Sequence, residues 1–410
     1  MDGRIIIFII CLFYSGCLQV NTAKNPLEDI MASDIPAIKI VADSLEQYEL
    51  QIIFTPLVEK DGRWKLGKRH TFRLDTTHYF YPASTVKMPV AFLALQKLKE
   101  LREKGYSLTR DTPIFFGEGR APMTSMDSDT CSSTGLPTIA SMIEQVFTVS
   151  DNISYVRLYE FLGQEYINHE LRKKEIFTNS RIITRVGVTG FSTEENRYVN
   201  PFYFDSKDSP LYQEELRYSH FQIPENERLR STFKGRGYLD QDGNLQESAF
   251  DMSEKNFINL PDLERSLKVA LFPEWYDESS RYNIDEDDNE FLQATLVKLP
   301  KDFPCYSDTA RYYDGFVKFF MYWDSKQPIP QNITIKNKVG FAYGTLTDCS
   351  YIEDRERNVR FFLTATILVN RNGIFNDGVY EYKEVGLPFM AALGREVHRY
   401  MVNNYGKQTR

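Results

Sequence analysis

Two serine–lysine pairs with a spacing of three residues could support nucleophilic chemistry in this sequence. The first is Ser84-Thr85-Val86-Lys87, which opens an apolar-periodic segment. A three-residue step on a helix turns by about 300 degrees, so both side chains lie on one side of it. A serine hydroxyl needs a base to take its proton, and a lysine is a base only when its amine is neutral. Burial, nearby positive charge and a helix N-terminus lower a lysine pKa. Ser84 is therefore the candidate nucleophile and Lys87 the candidate base.

The second copy is Ser231-Thr232-Phe233-Lys234. Average composition predicts roughly 1 or 2 chance copies in a chain of this length. Gly235-Arg236-Gly237 follows the second lysine and is poorly suited to continue a helix. We therefore reject this copy as a site.

Ser150-Asp151-Asn152 lies in a turn between two predicted helices. Ser, Asp and Asn all cap helices well, and capping alone explains such a turn. Capping is compatible with chemistry, because the Ser150 hydroxyl could relay a proton to a leaving group. The Asn152 amide could hold a substrate amide carbonyl or the Lys87 side chain.

Lys338-Val339-Gly340 ends a predicted strand. A strand beside a cleft can align a substrate along its edge, and a glycine lets the substrate approach the backbone. Lys338 would attract a substrate carboxylate and help to lower the Lys87 pKa. By itself the pattern is weak, because most such lysines are solvated.

The three motifs in this order resemble the signature of class A beta-lactamases and penicillin-binding proteins. The stretches around them are also similar to that family, in particular to its Bacteroidetes-type branch. These stretches are Tyr79 to Leu101, Leu136 to Gly163, and Gly340 to Gly344 with Asp348 and Tyr351. The resemblance covers about residues 27–404, apart from a long insertion.

The resemblance implies a serine hydrolase that opens beta-lactam amides through an acyl-enzyme and uses no cofactor. It assigns roles to the motif residues: Ser84 attacks, Lys87 activates it, Ser150 and Asn152 line the opposite wall, and Lys338 and Gly340 bind substrate. The backbone N–H groups of Ser84 and Phe341 would form the oxyanion hole. One such donor typically contributes ~3 kcal/mol to the transition state.

Two departures from the family pattern bear on activity. Val339 replaces the hydroxyl residue that helps the family to bind the substrate carboxylate. The family's beta-lactamases also need a glutamate after the S-D-N to direct a deacylating water, and the usual E-x-x-x-N spacing is absent. Glu195 is our candidate, with Glu194 beside it and Asn200 near the expected distance. The alternative is that both are solvated loop glutamates.

Three functions therefore compete. The first is a beta-lactamase, and the second is a cell-wall D-alanyl peptidase or esterase with a longer-lived acyl-enzyme. The third is a binding module that keeps the scaffold without catalysis. The predicted partner is a small beta-lactam or a cell-wall peptide.

The elements that must position these residues follow a strand–helix–strand order. Strands are predicted over Gln51–Val58 and Lys65–Leu74, and again from Ile333 to Val369. The nucleophile helix runs from Ser84 to Lys104, with a kink at Pro89, and three further helices fill 141–175. This order predicts an α+β, three-layer α/β/α fold, in which both chain ends build one antiparallel sheet beside an all-helical lobe.

Residues 200–300 are polar and rich in turn signals, with an acidic run at 285–288. We interpret them as an insertion of loop and surface character within a single domain over 27–404. The chain has 410 residues, with 42% hydrophobic and 14% aromatic residues, so it can build a large core. Its net charge of -8 and the lack of a basic stripe argue against nucleic-acid binding.

Residues 1–16 resemble an export signal, because Arg4 precedes an apolar run that is too short to span a membrane. Small residues directly before Cys17 indicate a lipobox, so we expect lipidation of Cys17 and a tether over 17–26. An ordinary cleaved signal with a chance cysteine is the alternative. We expect an exported, periplasmic monomer anchored to a bacterial membrane.

The remaining cysteines, Cys131, Cys305 and Cys349, allow at most one disulfide. Neither they nor the five histidines have metal-site spacing. The sequence therefore predicts no metal.

Overall fold

The structure is a computed structural model that describes residues 24–225 and 227–407. The predicted signal, Cys17 and most of the tether lie outside the described residues. The division into 1–16, 17–26 and 27–404 stays a prediction.

The described residues form helices at both ends of the chain, a helical group over 87–173 and three further helices over 260–322. These helices are α1 (Pro26–Met31), α2 (Pro36–Ala42), α3 (Leu45–Tyr48), α4 (Lys87–Glu103), α5 (Ile139–Thr148), α6 (Asn152–Leu162), α7 (Gln164–Lys173), α8 (Leu260–Leu271), α9 (Glu286–Thr295), α10 (Phe319–Tyr322) and α11 (Leu387–Tyr405).

The strands are long near the two chain ends and short between them. They are β1 (Gln51–Lys60), β2 (Arg63–Leu66), β3 (His70–Phe72), β4 (Ile114–Phe116), β5 (Tyr198–Val199), β6 (Phe202–Phe204), β7 (Tyr212–Glu214), β8 (Arg217–Tyr218), β9 (Phe233–Lys234), β10 (Gly237–Leu239), β11 (Leu245–Gln246), β12 (Phe250–Asp251), β13 (Ile333–Ala342), β14 (Thr345–Asp354), β15 (Val359–Leu368) and β16 (Ile374–Phe375).

The main sheet is antiparallel and is built from both chain ends, as predicted. Its order is β13-β14-β15-β1-β2, with β3 also paired to β1. The strands alternate their side chains between two cores. Leu346 and Ile352 of β14 pack with α11 and the N-terminal helices, whereas Cys349 and Tyr351 face α4 to α8. Helices therefore cover both faces, which confirms the three-layer α+β prediction.

The lobe beside the sheet is not all helical, which corrects one prediction. Residues of β4 pair with β6, and β6 pairs with β7, in a small three-stranded sheet. The sequence signal was too weak because β4 has only three residues and its partner lies far along the chain. The β6 strand begins at Phe202, within the predicted insertion.

The prediction that 200–300 is loop and surface is wrong for its last part. Helix α8 buries Leu263 and Leu267 fully, and it packs between α4 and the main sheet. The apolar pattern of α8 is interrupted by three charged residues, and such residues usually indicate an exposed segment. Here they are buried as well: Asp262, Glu264 and Lys268. Lys268 pairs with Glu264 at 2.9 Å, and Asp262 accepts hydrogen bonds from Thr178 and Ser180.

One disulfide forms, within the limit set by the cysteine count. Cys131 pairs with Cys305 and has a Cα–Cα distance of 5.5 Å, while Cys349 is free and buried. The bond ties the segment that leads to β13 to the lobe. Among the helices that the structure describes, none is long and apolar enough to cross a bilayer.

Candidate active site

Ser84 lies in a tight turn at the entrance to α4. Residues Ala83–Val86 form a 3-10 helix, and the α-helix begins at Lys87. Residues three apart eclipse each other in 3-10 geometry, so Ser84 and Lys87 align even better than on an α-helix. Pro89 lies in the first turn of α4, where its missing N–H is tolerated, so the predicted kink is replaced by this change of helix type.

The Lys87 amine reaches the turn between α5 and α6. Its Nζ donates to Asn152 Oδ1 at 2.6 Å and to the Ser150 carbonyl at 2.6 Å. Weaker contacts join it to the Asp151 carbonyl at 3.1 Å and to Ser150 Oγ at 3.4 Å. The structure therefore brings two of the three predicted motifs together.

Burial destabilises the charged form of the Lys87 amine. Its side chain is 0% exposed, and desolvation lowers its pKa to about 7, against a small opposing effect of Asp151. A fraction of the amine is therefore neutral at neutral pH. A lysine can act as a base for Ser84 only in this neutral form.

In the 150–152 turn, the residue that caps a helix differs from the residues that face the site. Asp151 caps α6, because its Oδ1 accepts from Ser154 N at 2.8 Å. This arrangement leaves the Ser150 hydroxyl and the Asn152 amide available for the site. Ser150 has a φ of 61°, and Ala83 beside Ser84 has a φ of 46°. Both residues lie in the left-handed region that side chains disfavour, a form of strain that clusters at functional sites.

Lys338 completes the cluster from the main sheet. Its Nζ donates to Ser150 Oγ at 2.8 Å and to the Val339 carbonyl at 2.7 Å. The side chain is 2% exposed, and desolvation, followed by the charge of Lys87, holds its pKa well below the usual range. Ser150 Oγ thus lies between the two amines.

Gly340 sets the distance between β13 and the nucleophile turn. A Cβ atom at this position would lie 2.7 Å from Ser84 N and 2.7 Å from the Pro82 carbonyl. Only a residue without a side chain allows this approach. The predicted role of a glycine here agrees with this packing.

Phe341 can present its backbone N–H to the same space. The strand β13 lies at the edge of the sheet, and Phe341 pairs with Leu346 next to a two-residue hairpin turn. Such a turn closes on a hydrogen-bonded pair, here Ala342 and Thr345. Because bonded and non-bonded pairs alternate, the Phe341 N–H points away from β14, to the open edge.

Val339 lies outside this space. Its side chain is 2% exposed and packs in the core shared with α11. It therefore contributes its carbonyl to the site, as the acceptor of Lys338, and its side chain to the core.

A buried polar network behind β13 was not found from the sequence. Lys318 Nζ donates to the Ile335 carbonyl at 2.9 Å and to Asn337 Oδ1 at 2.7 Å. Asn337 in turn donates to Asp348 Oδ1 at 3.0 Å, and Asp348 accepts from Phe319 N. Burial raises the pKa of Asp348 to about 6 and lowers that of Lys318 to about 8. The network fixes the strand that carries Lys338, and no local signal in the sequence links these residues.

Glu195 has a local structural contact. Its Oε2 accepts from Ser192 N at 2.7 Å, and Ser192 Oγ accepts from Glu195 N at 3.2 Å, as in a capping box. The loop that touches Asn152 lies earlier in the chain, at Gly187, where a Cβ would lie 2.1 Å from the Asn152 side chain. A role for Glu195 in directing water stays a prediction.

The second serine–lysine copy lies elsewhere, in agreement with its rejection. Lys234 belongs to β9 and donates to Glu49 Oε2 at 2.7 Å. No group of three or more His, Cys, Asp or Glu side chains suited to a metal occurs in 24–225 and 227–407.

The profile of the beta-lactamase enzyme family matches residues 40–204. That segment contains Ser84, Lys87 and the 150–152 turn. The match supports the resemblance over this segment of the chain. The resemblance inferred from the motifs is thereby confirmed. A search of curated proteins gives no significant match.

Solved structures of beta-lactamases are similar to this chain along most of its length. A class A beta-lactamase from Bacteroides cellulosilyticus DSM 14838 is 10% identical, with a TM-score of 0.50 over 93% of this chain and 100% of that one. A beta lactamase from Xanthomonas campestris pv. campestris is 13% identical, with a TM-score of 0.48 over 92% and 98%. One from Desulfarculus baarsii is 14% identical, with a TM-score of 0.46 over 88% and 96%. At 10% identity, the Bacteroides structure shows a shared fold alone. Family and fold together support a beta-lactamase-like serine hydrolase.

Proposed function

We propose that this protein is a beta-lactamase that opens the lactam amide through a covalent ester on Ser84. One observation carries the proposal: Ser150 Oγ lies 3.4 Å from the Lys87 amine and 2.8 Å from the Lys338 amine. A proton can therefore move between the nucleophile side and the leaving-group side of one cleft. Acyl transfer from an amide needs such a path, because the nucleophile loses a proton and the leaving nitrogen gains one.

In the acylation step the neutral Lys87 amine accepts the Ser84 proton while Ser84 Oγ bonds to the lactam carbonyl carbon. The negative charge on the carbonyl oxygen is held by the N–H groups of Ser84 and Phe341. The C–N bond then breaks, and Ser150 Oγ gives its proton to the leaving nitrogen. Lys87, now protonated, returns a proton to Ser150. The product is a Ser84 ester in which the opened ring still carries the new amine, with all protons accounted for.

Lys338 recognises the substrate carboxylate in this scheme. In the free protein its buried amine has a strongly lowered pKa. An incoming carboxylate favours the charged form, so binding and protonation of Lys338 are coupled. Lys338 then also orients Ser150 through their hydrogen bond.

The second candidate is a D-alanyl peptidase or esterase whose acyl-enzyme is long-lived. The loop that packs against Asn152 favours this second candidate. Its residue at the contact is Gly187, which has no side chain that could direct a water. Glu195, the candidate for directing water, is engaged with Ser192 N at 2.7 Å. Without a carboxylate to activate water, the ester on Ser84 would persist.

A fluorescent penicillin and a chromogenic cephalosporin separate these functions. A beta-lactamase gives Ser84-dependent labelling and many turnovers of the cephalosporin. Labelling with one turnover at most supports the second candidate. No labelling of a folded wild-type protein would contradict both and favour a binding module.

We also propose that the protein is exported, lipidated on Cys17 and held at a bacterial membrane as a monomer. The signal-like segment before Cys17 supports this proposal. Cys17→Ser should move the protein from the membrane to the soluble fraction, and mass spectrometry should find a diacylglyceryl group only on the wild type. Sedimentation of the detergent-free Cys17→Ser protein tests the monomer. A soluble wild type would contradict the anchor.

A further inference from the structure

A cavity of about 810 Å³ adjoins the candidate active site. It falls in the size range of small-molecule binding pockets. The cavity is lined by the loop 184–191, the insertion around 238–255, and the tip of the β13–β14 hairpin with Tyr81. Asn196 and Asn376 complete the lining. None of the three sequence motifs contributes a lining residue.

The cavity opens beside the motif residues on the Asn152 side. Gly187 lines it and packs directly against the Asn152 amide. Tyr81 lies three residues before Ser84, and Tyr343 lies two residues after Phe341. The cavity is therefore positioned for the part of a substrate that stays bonded to Ser84, since the Ser150 and Lys338 side serves the leaving group.

One wall of the cavity is aromatic. Tyr81 and Tyr343 pack edge to face at 5.1 Å, and Phe250 lies 5.5 Å from Tyr343. Tyr238 continues the wall at 5.0 Å from Phe250. Two of these four rings, Tyr238 and Phe250, come from the insertion. The wall suits the aliphatic or planar body of an extended chain.

Lys255 supplies a cation at this wall. Its Nζ lies 5.3 Å from the Phe250 ring centroid and 5.6 Å from that of Tyr343. Burial lowers its pKa, against an opposing effect of Asp251. Across the described ranges, the structure gives this amine no hydrogen bond or ion pair with a carboxylate, while Asp251 is exposed and accepts from Ser253 N.

The other charged residues of the cavity already have partners within the protein. Arg185 is buried and pairs with Glu160 at 3.0 Å. Asp240 accepts from the N–H groups of Asp242 and Asn244 within its own turn. The Lys255 amine can therefore bind an anionic group of a ligand, because an opposite charge stabilises a partly desolvated cation.

We propose that the insertion forms a recognition site in which Lys255 binds a carboxylate at the far end of the substrate's acyl chain. The inference rests on the proposed function and specifies its substrate class. The substrate carries two anions: one near the bond that is cut, which Lys338 binds, and one on an extended acyl chain that crosses the aromatic wall. A peptide-like chain that ends in a carboxylate meets this description.

Equilibrium binding to Ser84→Ala protein tests the site without any acylation. The probes are penicillins whose 6-acyl group is a succinoyl, adipoyl or suberoyl chain, each with a terminal carboxylate or the matching carboxamide. For the chain that spans the wall, we expect the carboxylate to bind about tenfold more tightly than the carboxamide. Adding Lys255→Met should reduce that preference to about twofold or less, whereas Lys255→Arg should keep it.

Lys207→Met is the matched control, because Lys207 is exposed and lies outside the cavity lining. It removes one positive charge and should retain the preference. Thermal melting of each variant checks that the fold is kept. Equal dissociation constants for both probe forms, or a preference that survives Lys255→Met, would overturn the inference even if the wild type is labelled by penicillin. No binding of any probe, with no labelling of the wild type, would overturn the proposed function and this inference together.

Discussion

The two serine–lysine pairs of this chain have the same letters at the same spacing, yet the fold gives them different chemistry. Lys87 is fully buried against carbonyl and amide oxygens of the 150–152 turn. Lys234 is also buried, but its amine forms an ion pair with Glu49 at 2.7 Å. A carboxylate partner favours the charged form of a lysine, and neutral acceptors favour it far less.

The two serines differ as well. Ser84 lies in a 3-10 turn that leads into a 17-residue helix. Ser231 is exposed and precedes the two-residue strand β9. Ser231 has a left-handed φ of 59° and Lys234 lies in a strand, so no helix places the two side chains on one face. A serine–lysine pair of this spacing can therefore become reactive only where a helix aligns the two side chains and another segment of the chain buries the lysine.

The largest expected difference between the copies is in covalent labelling. Ser84→Ala should abolish labelling by a fluorescent penicillin, because no other hydroxyl replaces the nucleophile. Ser231→Ala, the matched control, should be labelled like the wild type. Gel fluorescence after denaturation measures both, and loss of label in the Ser231 variant would reverse the assignment.

The lysines should differ by orders of magnitude in rate. Lys87→Ala should slow acylation by about 10²- to 10⁴-fold, since it removes the base for Ser84. Lys234→Ala should change the rate little and lower the melting temperature, because Glu49 loses its lysine partner and keeps only His78. Stopped-flow acylation and thermal melting measure these effects. A normal acylation rate in Lys87→Ala would show that another group is the base.

Glycines near the two copies offer a matched pair. Gly340→Ala should slow acylation by about 10²- to 10³-fold, the effect of losing one oxyanion donor, because the new Cβ pushes β13 away from Ser84 N. Gly235→Ala follows the second lysine and would place a Cβ 2.3 Å from the Gly373 carbonyl. It should lower the melting temperature and leave acylation nearly intact. Equal acylation rates in both variants would contradict the role of the Gly340 contact.

The pH dependence of acylation should report Lys87. Its pKa of about 7 means that the neutral amine falls about tenfold for each pH unit below 7. The acylation rate should therefore rise with pH up to about 7 and level off above it. The residual reaction of Lys87→Ala should lack this inflection. A wild-type rate that is flat between pH 5 and 8 would rule out a titrating lysine base.

The smallest expected effect is at Glu195. If Glu195 only caps its turn, Glu195→Gln should change deacylation by less than about twofold and weaken the local turn slightly. If it directs water, deacylation should slow by about 10²-fold or more. Release of the fluorescent label over time decides between the two, and Glu194→Gln serves as the neighbouring control.

Much of the fold could be predicted because its signals are local. The strand over Gln51–Val58 follows from its residue types, and it is present as β1. The helix that begins near Lys87 was predicted from its apolar positions. The core helix α8 was missed because its buried charges are neutralised by residues distant in sequence, such as Arg69 with Glu264 at 2.8 Å.

In the candidate site, too, some features could be predicted from local sequence and others depend on distant contacts. The residues Ser84, Lys87, Ser150, Asn152, Lys338, Gly340 and Phe341 were chosen from letters and order, and the structure gathers them around one cleft. The network of Lys318, Asn337 and Asp348 and the cavity around Lys255 had no pattern to reveal them. Both depend on contacts between segments that are far apart in the chain.

The sequence by itself determined which side chains can do chemistry and which segments become helices and strands, because spacing and local propensity act over a few residues. Only the tertiary structure decided which serine–lysine pair becomes reactive, since the pKa of an amine depends on the atoms that exclude water from it. For Lys87 those atoms belong to the 150–152 turn, whereas Lys234 lies in a different part of the fold and forms an ion pair with Glu49.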